Sequence, residues 1–214
     1  MKYQILIHDY KIIPHPKTRL PYKVYRILAL RSFLTALGEV KEGSIGGFIS
    51  GEHNLSHDDT AWVYHMGMVF DDALIIDSIV TDDAAVFESA IVRDSEIGKK
   101  ARVFGQALVT NSLITDNVDV CQGTTITDSE IFNACSVMGK SKVVGSVLMG
   151  GVRVTDHSEV VKSTLSDTVE VGGKSYCENC VLSGRTVVYN ERLINATLSR
   201  SIDMEVRSGI DPND

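Results

Sequence analysis

The chain is short of the residues that staple or punctuate small folds. Its 214 residues hold four Cys, four Pro and one Trp. Four cysteines at 121, 135, 177 and 180, all in the second half, are too few for a disulfide framework. No apolar run reaches the roughly 18–20 residues of a membrane span, and "YQILIHDYK" after Met1-Lys2 lacks a signal-peptide pattern, so a cytoplasmic protein is expected. No phosphate loop, dinucleotide fingerprint or nucleophile–base–acid set is present. Acidic residues are scarce in one place only. Residues 1–31 carry seven Lys/Arg against one acid, whereas the remainder carries 14 against 27, for a net charge of −7 overall. The acidic body argues against nucleic-acid binding along its length.

What fills the chain is a repeat. "VRDSEIG" at 92–98, "NSLITDN" at 111–117 and "TDSEIFN" at 127–133 are variants of one phrase, and aligning at seventeen residues yields three aliphatic columns. The first runs Val63, Val80, Ile97, Ile114, Ile131, Leu148, Leu165, Leu182. The second runs Val69, Val86, Val103, Val120, Val137, Val154, Val171, Val188. The third runs Ile75, Val92, Val109, Ile126, Val143, Val160, Cys177, Ile194. Steps of six, six and five carry the pattern through eight rounds, with a small residue two positions before nearly every column member. Small-x-aliphatic is the period-2 alternation of a strand, with both residues on one face. Three short strands and three tight corners per round can bury their inward residues only by stacking, about 4.8 Å per coil. The expected fold is all-β: a parallel β-solenoid of about eight triangular coils.

Units such as "IGKKAR" at 97–102, "VFGQAL" at 103–108 and "VMGKSK" at 137–142 resemble the hexapeptide repeat of left-handed parallel β-helix proteins. The lead-in "GSIGGFISGEHNLSHDDTAWVY" at 43–64 is similar to that of uncharacterised bacterial and phage hexapeptide-repeat proteins described as transferases. The left hand of the helix is implied by this resemblance, not by the spacing. It also implies homotrimers of parallel solenoids and, for acyltransferase members, a single His acting as general base on an acyl-CoA co-substrate. The superfamily also includes binding, scaffold and assembly proteins, so the fold leaves the activity open.

Residues 1–59 lack the period. They read as two β-prone segments joined by the turn "PHPKTRLP", with a short helix between Leu20 and Leu37 as the alternative, and they are expected to cap the open end of the solenoid at 60–198. Residues 199–214 are expected to close the other end.

The period also sorts the outward positions. Phe70, Phe87 and Phe104 form one ladder and Leu74, Ile91 and Leu108 another, an apolar patch expected to be a subunit interface unless the head folds over it. A corner column places Lys140, His157 and Lys174 on successive coils, with Lys142 and Arg153 close in sequence. Stacked cations suit a small anionic, nucleotide-like ligand. His157, beside Asp156, is the candidate base if the chain is an acyltransferase. His53, His57 and His65 lack a zinc-site pattern, so no metal and no cofactor is expected. Cys177 and Cys180 make a formal C-x-x-C, yet both fall in inward columns and are read as packing. The readings are thus a homotrimeric binding or scaffold protein, an acyltransferase, or a structural module of a larger assembly such as a phage particle.

Overall fold

The computed structural model describes the backbone of residues 1–206 and the side chains through Ser199. The periodic region forms a three-sided parallel solenoid of short strands. Val63 pairs with Val80 on the first face, Val69 with Val86 on the second and Ile75 with Val92 on the third, each seventeen residues on. The same registers repeat coil after coil, and the third face is a separate eight-stranded sheet. The three columns point inward and are buried from Val63 to Val188, making one continuous core. Backbone bonds run from coil to coil, as in Tyr64 N–H to the Val80 carbonyl (2.8 Å) and Phe70 N–H to the Val86 carbonyl (3.1 Å). Each coil therefore satisfies its neighbour's backbone, and a terminal coil needs a partner.

The short corner, where the step is five, explains the repeated Asp/Asn-Ser phrase. Asp77, Asp94, Asn111, Asp128 and Gly145 all adopt φ between 45° and 57°, the left-handed region that Asp, Asn and Gly tolerate best. The serine that follows turns inward. Its hydroxyl donates to the carbonyl two residues back (Ser112 Oγ to Thr110 O, 2.7 Å) and accepts the backbone N–H of the serine one coil on (Ser129 N, 3.1 Å). The same bonds run from Ser78 to Ser163, where the Cys180 N–H is the last donor. The serines are a hydrogen-bonded spine.

The head is entirely β. Strand β1 (Tyr3–Pro14) pairs antiparallel with β2 (Pro21–Ala29), and no helix forms between Leu20 and Leu37. A small hairpin follows, β3 (Phe33–Thr35) and β4 (Gly38–Val40). Strand β5 (Ile45–Ile49) pairs antiparallel with β2 on one side and parallel with Met68–Val69 on the other. The long hairpin thus continues the second face and covers its open edge. Over the mouth of the solenoid, Lys2 is fully buried and its ammonium donates to the Asp59 carboxylate (3.0 Å) and to the Asp59 and Ala61 carbonyls (3.0 and 2.8 Å). The Tyr3 hydroxyl donates to the Leu55 carbonyl (2.7 Å). Sequence periodicity gave no sign of this buried ion pair.

At the other end the period slips. Cys177 pairs with Leu193, not Ile194, so the last coil has sixteen residues, and Ile194 is 45% exposed. The missing residue belongs to the corner between the second and third faces. In earlier coils a corner N–H meets a backbone carbonyl of the next coil, as His157 N meets Gly173 O (2.9 Å); Lys174 N instead meets the side-chain oxygen of Asn190 (2.9 Å). An asparagine amide stands in for the lost carbonyl. Glu191 accordingly leaves the corner column and aligns with Ser175, its carbonyl accepting the Tyr176 N–H (2.8 Å). Thr197–Val206 then lies parallel on Val181–Tyr189. The rest of the expected tail, 207–214, lies outside the described residues.

Candidate functional site

A groove of about 1120 Å³ runs along the corner between the second and third faces. The tip of the β1–β2 hairpin overhangs one end through His15, Lys17 and Tyr22; the other end reaches Lys140 and His157. Six successive coils contribute to it, a length of roughly 25 Å at about 4.8 Å per coil. One residue per coil at this corner is left-handed, from Asp71 (φ 56°) through Gln122 (φ 63°) to Asp156 (φ 62°). The side chains that follow project from the edge into solvent.

Charge is graded along the groove. At the hairpin end Asp71 and Glu88 are engaged, while Asp72 is exposed. Asp71 Oδ2 lies 3.0 Å from His15 Nε2 and accepts the Glu88 N–H (3.2 Å), and Glu88 lies 4.0 Å from the Lys17 ammonium. The middle is neutral, with Gln106, Gln122, Gly123 and Gly139. At the far end Lys140 and His157 are exposed and their side chains have no hydrogen bond or ion pair within the described chain. Asp156 does not orient His157: its Oδ2 accepts the Gly173 N–H (2.8 Å) and the Thr155 hydroxyl (3.2 Å).

The five residues expected at a basic site are only partly assembled. Lys140 and His157 share the groove, and Lys174 follows one coil on with an equally free, exposed side chain. Arg153 lies on the second face, 3.4 Å from Glu170, beside a separate hollow of about 190 Å³. Lys142 lies on the third face, registered between Thr125 and Glu159. Alternation along a strand separates them. Residues flanking a corner in sequence are carried onto different faces of the triangle.

The apolar patch is divided as well. Phe70, Phe87 and Phe104 stack face to face, at 5.0 and 4.9 Å with ring planes 2° apart. Phe70 and Phe87 are 1% and 3% exposed, packed in one cluster with Ile13, Val24 and Tyr22 of the head. The expectation that these two rings meet another subunit is therefore corrected: the head has taken that surface. Phe104 is half-buried and lines the groove, while Ile91 and Leu108 remain 37% and 39% exposed on the third face beside the half-buried Leu74. Sequence reading missed the groove's hairpin wall, because residues 1–59 share no period with the coils they touch.

The remaining candidates have structural places. His53 Nε2 lies 2.6 Å from the Asp71 carbonyl, His57 stacks on Tyr3 at 4.2 Å, and His65 lies 3.7 Å from Asp82 at a different corner. No cluster suited to a metal ion occurs among the described residues. Cys177 and Cys180 are buried and unpaired, and burial pushes the Cys177 thiol up to about 12, the signature of packing and not of a reactive thiolate. Among the described residues no helix is long and apolar enough to cross a membrane.

A family model described as GlmU-like, C-terminal hexapeptide matches residues 122–201, a stretch that includes Lys140, His157 and Lys174. No curated protein matches the chain. The matched repeats, the seventeen-residue columns and the three-sided parallel solenoid fit the hexapeptide-repeat superfamily of left-handed β-helices.

Proposed function

We propose that this protein is a β-helix binding module whose groove holds a small anionic ligand at Lys140 and His157. The observation that carries the reading is that three basic side chains stand on successive coils at one corner without the carboxylate that Lys99, Arg102 and Arg153 each meet. Lys99 sits on Asp116, Arg102 on Asp119 and Arg153 on Glu170, each pairing with the carboxylate one coil on. Lys140, His157 and Lys174 follow one another at about 5 Å per coil with no such partner. Lys140 and Lys174, two coils or about 10 Å apart, repel by about 0.4 kcal/mol in water and more in a cleft, and an anion between them reverses the sign. Calorimetric titration with inorganic phosphate and pyrophosphate tests this. Binding that weakens at least tenfold in Lys140→Ala/His157→Ala supports it; affinity unchanged by the double substitution refutes it.

Acyl transfer is the competing reading, favoured by the position of His157 inside a groove long enough for an extended co-substrate. It requires turnover of acyl-CoA that His157→Ala abolishes. The engaged Asp156 weighs against it, because the imidazole has no carboxylate to orient it. We further propose a homotrimer in which Ile91, Leu108 and Leu74 pack between solenoids. Light scattering that gives a monomer refutes that arrangement.

A further inference from the structure

The groove has an aromatic feature as well as a charged one. Phe104 is the last rung of the Phe70–Phe87–Phe104 stack and the only one of the three that is half-exposed. In the next coil the same position is Cys121, buried and without a ring, so the stack stops at Phe104. The Arg102 guanidinium, 6.0 Å from the Phe104 centroid, borders the ring but is committed to Asp119 through two hydrogen bonds. Beside Phe104 the amides of Gln106 and Gln122 project from the corner with no partner in the described chain. Gly123 opens the floor there, and the fold does not require it. Its φ is not in the left-handed region, and an added Cβ would meet nothing closer than 3.7 Å. Gly105 is different, because at φ +76° its Cβ would lie 2.6 Å from the Gln122 backbone nitrogen.

We propose that the groove between Phe104 and Lys140 takes a planar heteroaromatic ring carrying a phosphate-type anion, the pattern of a nucleotide. The ring extends the phenylalanine stack over the coil of Cys121 with its edge at Gly123, the Gln106 and Gln122 amides hydrogen-bond that edge, and the anion reaches Lys140 and His157. Those two residues lie one and two coils beyond Gly123, about 5 and 10 Å along the axis. This inference rests on the anion reading of Lys140 and His157 and adds a second, aromatic contact to it.

The test is a calorimetric series with adenosine 5′-monophosphate, phenyl phosphate and ribose 5-phosphate, which share an anion and differ in the ring. Both ring-bearing probes are expected to bind roughly tenfold or more tighter than ribose 5-phosphate, the range of base–aromatic stacking. Adenosine 5′-monophosphate is expected to exceed phenyl phosphate, and Gln122→Ala to remove that last difference. Phe104→Leu should erase the ring's gain and leave ribose 5-phosphate unchanged. Gly123→Leu, which fills the floor without touching the core, should do the same if Phe104→Leu disturbs folding. Equal affinity for all three probes, or a ring gain that survives both substitutions, overturns the aromatic contact and leaves the anion reading standing. No binding of any phosphate overturns both.

Discussion

Two corners of the same triangle are built alike and used differently. Both are tight, both place a left-handed residue on every coil, and both repeat at seventeen residues. At the short corner the column is nearly all Asp and Asn, broken only by Gly145 and Lys162, and the serines beside it spend their hydroxyls on backbone groups. The corner facing the hairpin carries Gln106, Gly123, Lys140, His157 and Lys174 in one column, chemically dissimilar and mostly unpartnered. Uniformity marks the corner that the backbone requires; variety marks the corner where side chains are free to meet something else. An acidic hollow of about 580 Å³ lies at the short corner too. Its serines are already bonded inward, so the hollow is a by-product of the turn.

The largest way to break this contrast is to shorten each corner by one residue. Deleting Asp128 compresses a five-residue step that the chain never shortens, and it moves downstream side chains to the wrong face. Loss of more than about 4 kcal/mol is expected, seen as failure to unfold cooperatively on heating. Deleting Gly123 copies what the last coil already does at Asn190, and about 1–2 kcal/mol is expected. Comparable losses would refute the difference. A smaller test is Ser112→Ala, which strands the Ser129 N–H and removes the bond to the Thr110 carbonyl; about 2 kcal/mol is expected from the shift in denaturant midpoint. The smallest effect belongs to Lys140→Ala and His157→Ala. Both side chains are exposed and unpaired, so stability should stay within about 0.5 kcal/mol while phosphate binding falls. A large stability loss there would make the corner architectural after all.

Much of the solenoid was legible because its physics is periodic. Val120 must face inward wherever Val103 does, since a coil can only hydrogen-bond to its neighbour in register. The serines of the spine were legible as the small residues two positions before the first column. The sixteen-residue coil was not, because Leu193 and Ile194 are interchangeable as aliphatics and only pairing to Cys177 decides between them. Nor was the fate of the Phe ladder. The pattern placed Phe70 and Phe87 on the outside, correctly, but could not say that Ile13, Val24 and Tyr22 would cover them.

The sequence by itself determined the three faces, the inward columns and the turn chemistry of the short corner, because each depends on spacing along one chain. Only the tertiary structure decided where the head lies, and with it which rings are buried and where the groove has its wall. Those contacts join residues some fifty positions apart, such as His15 and Asp71. A repeat dictates what sits one period away, and the hairpin obeys no period.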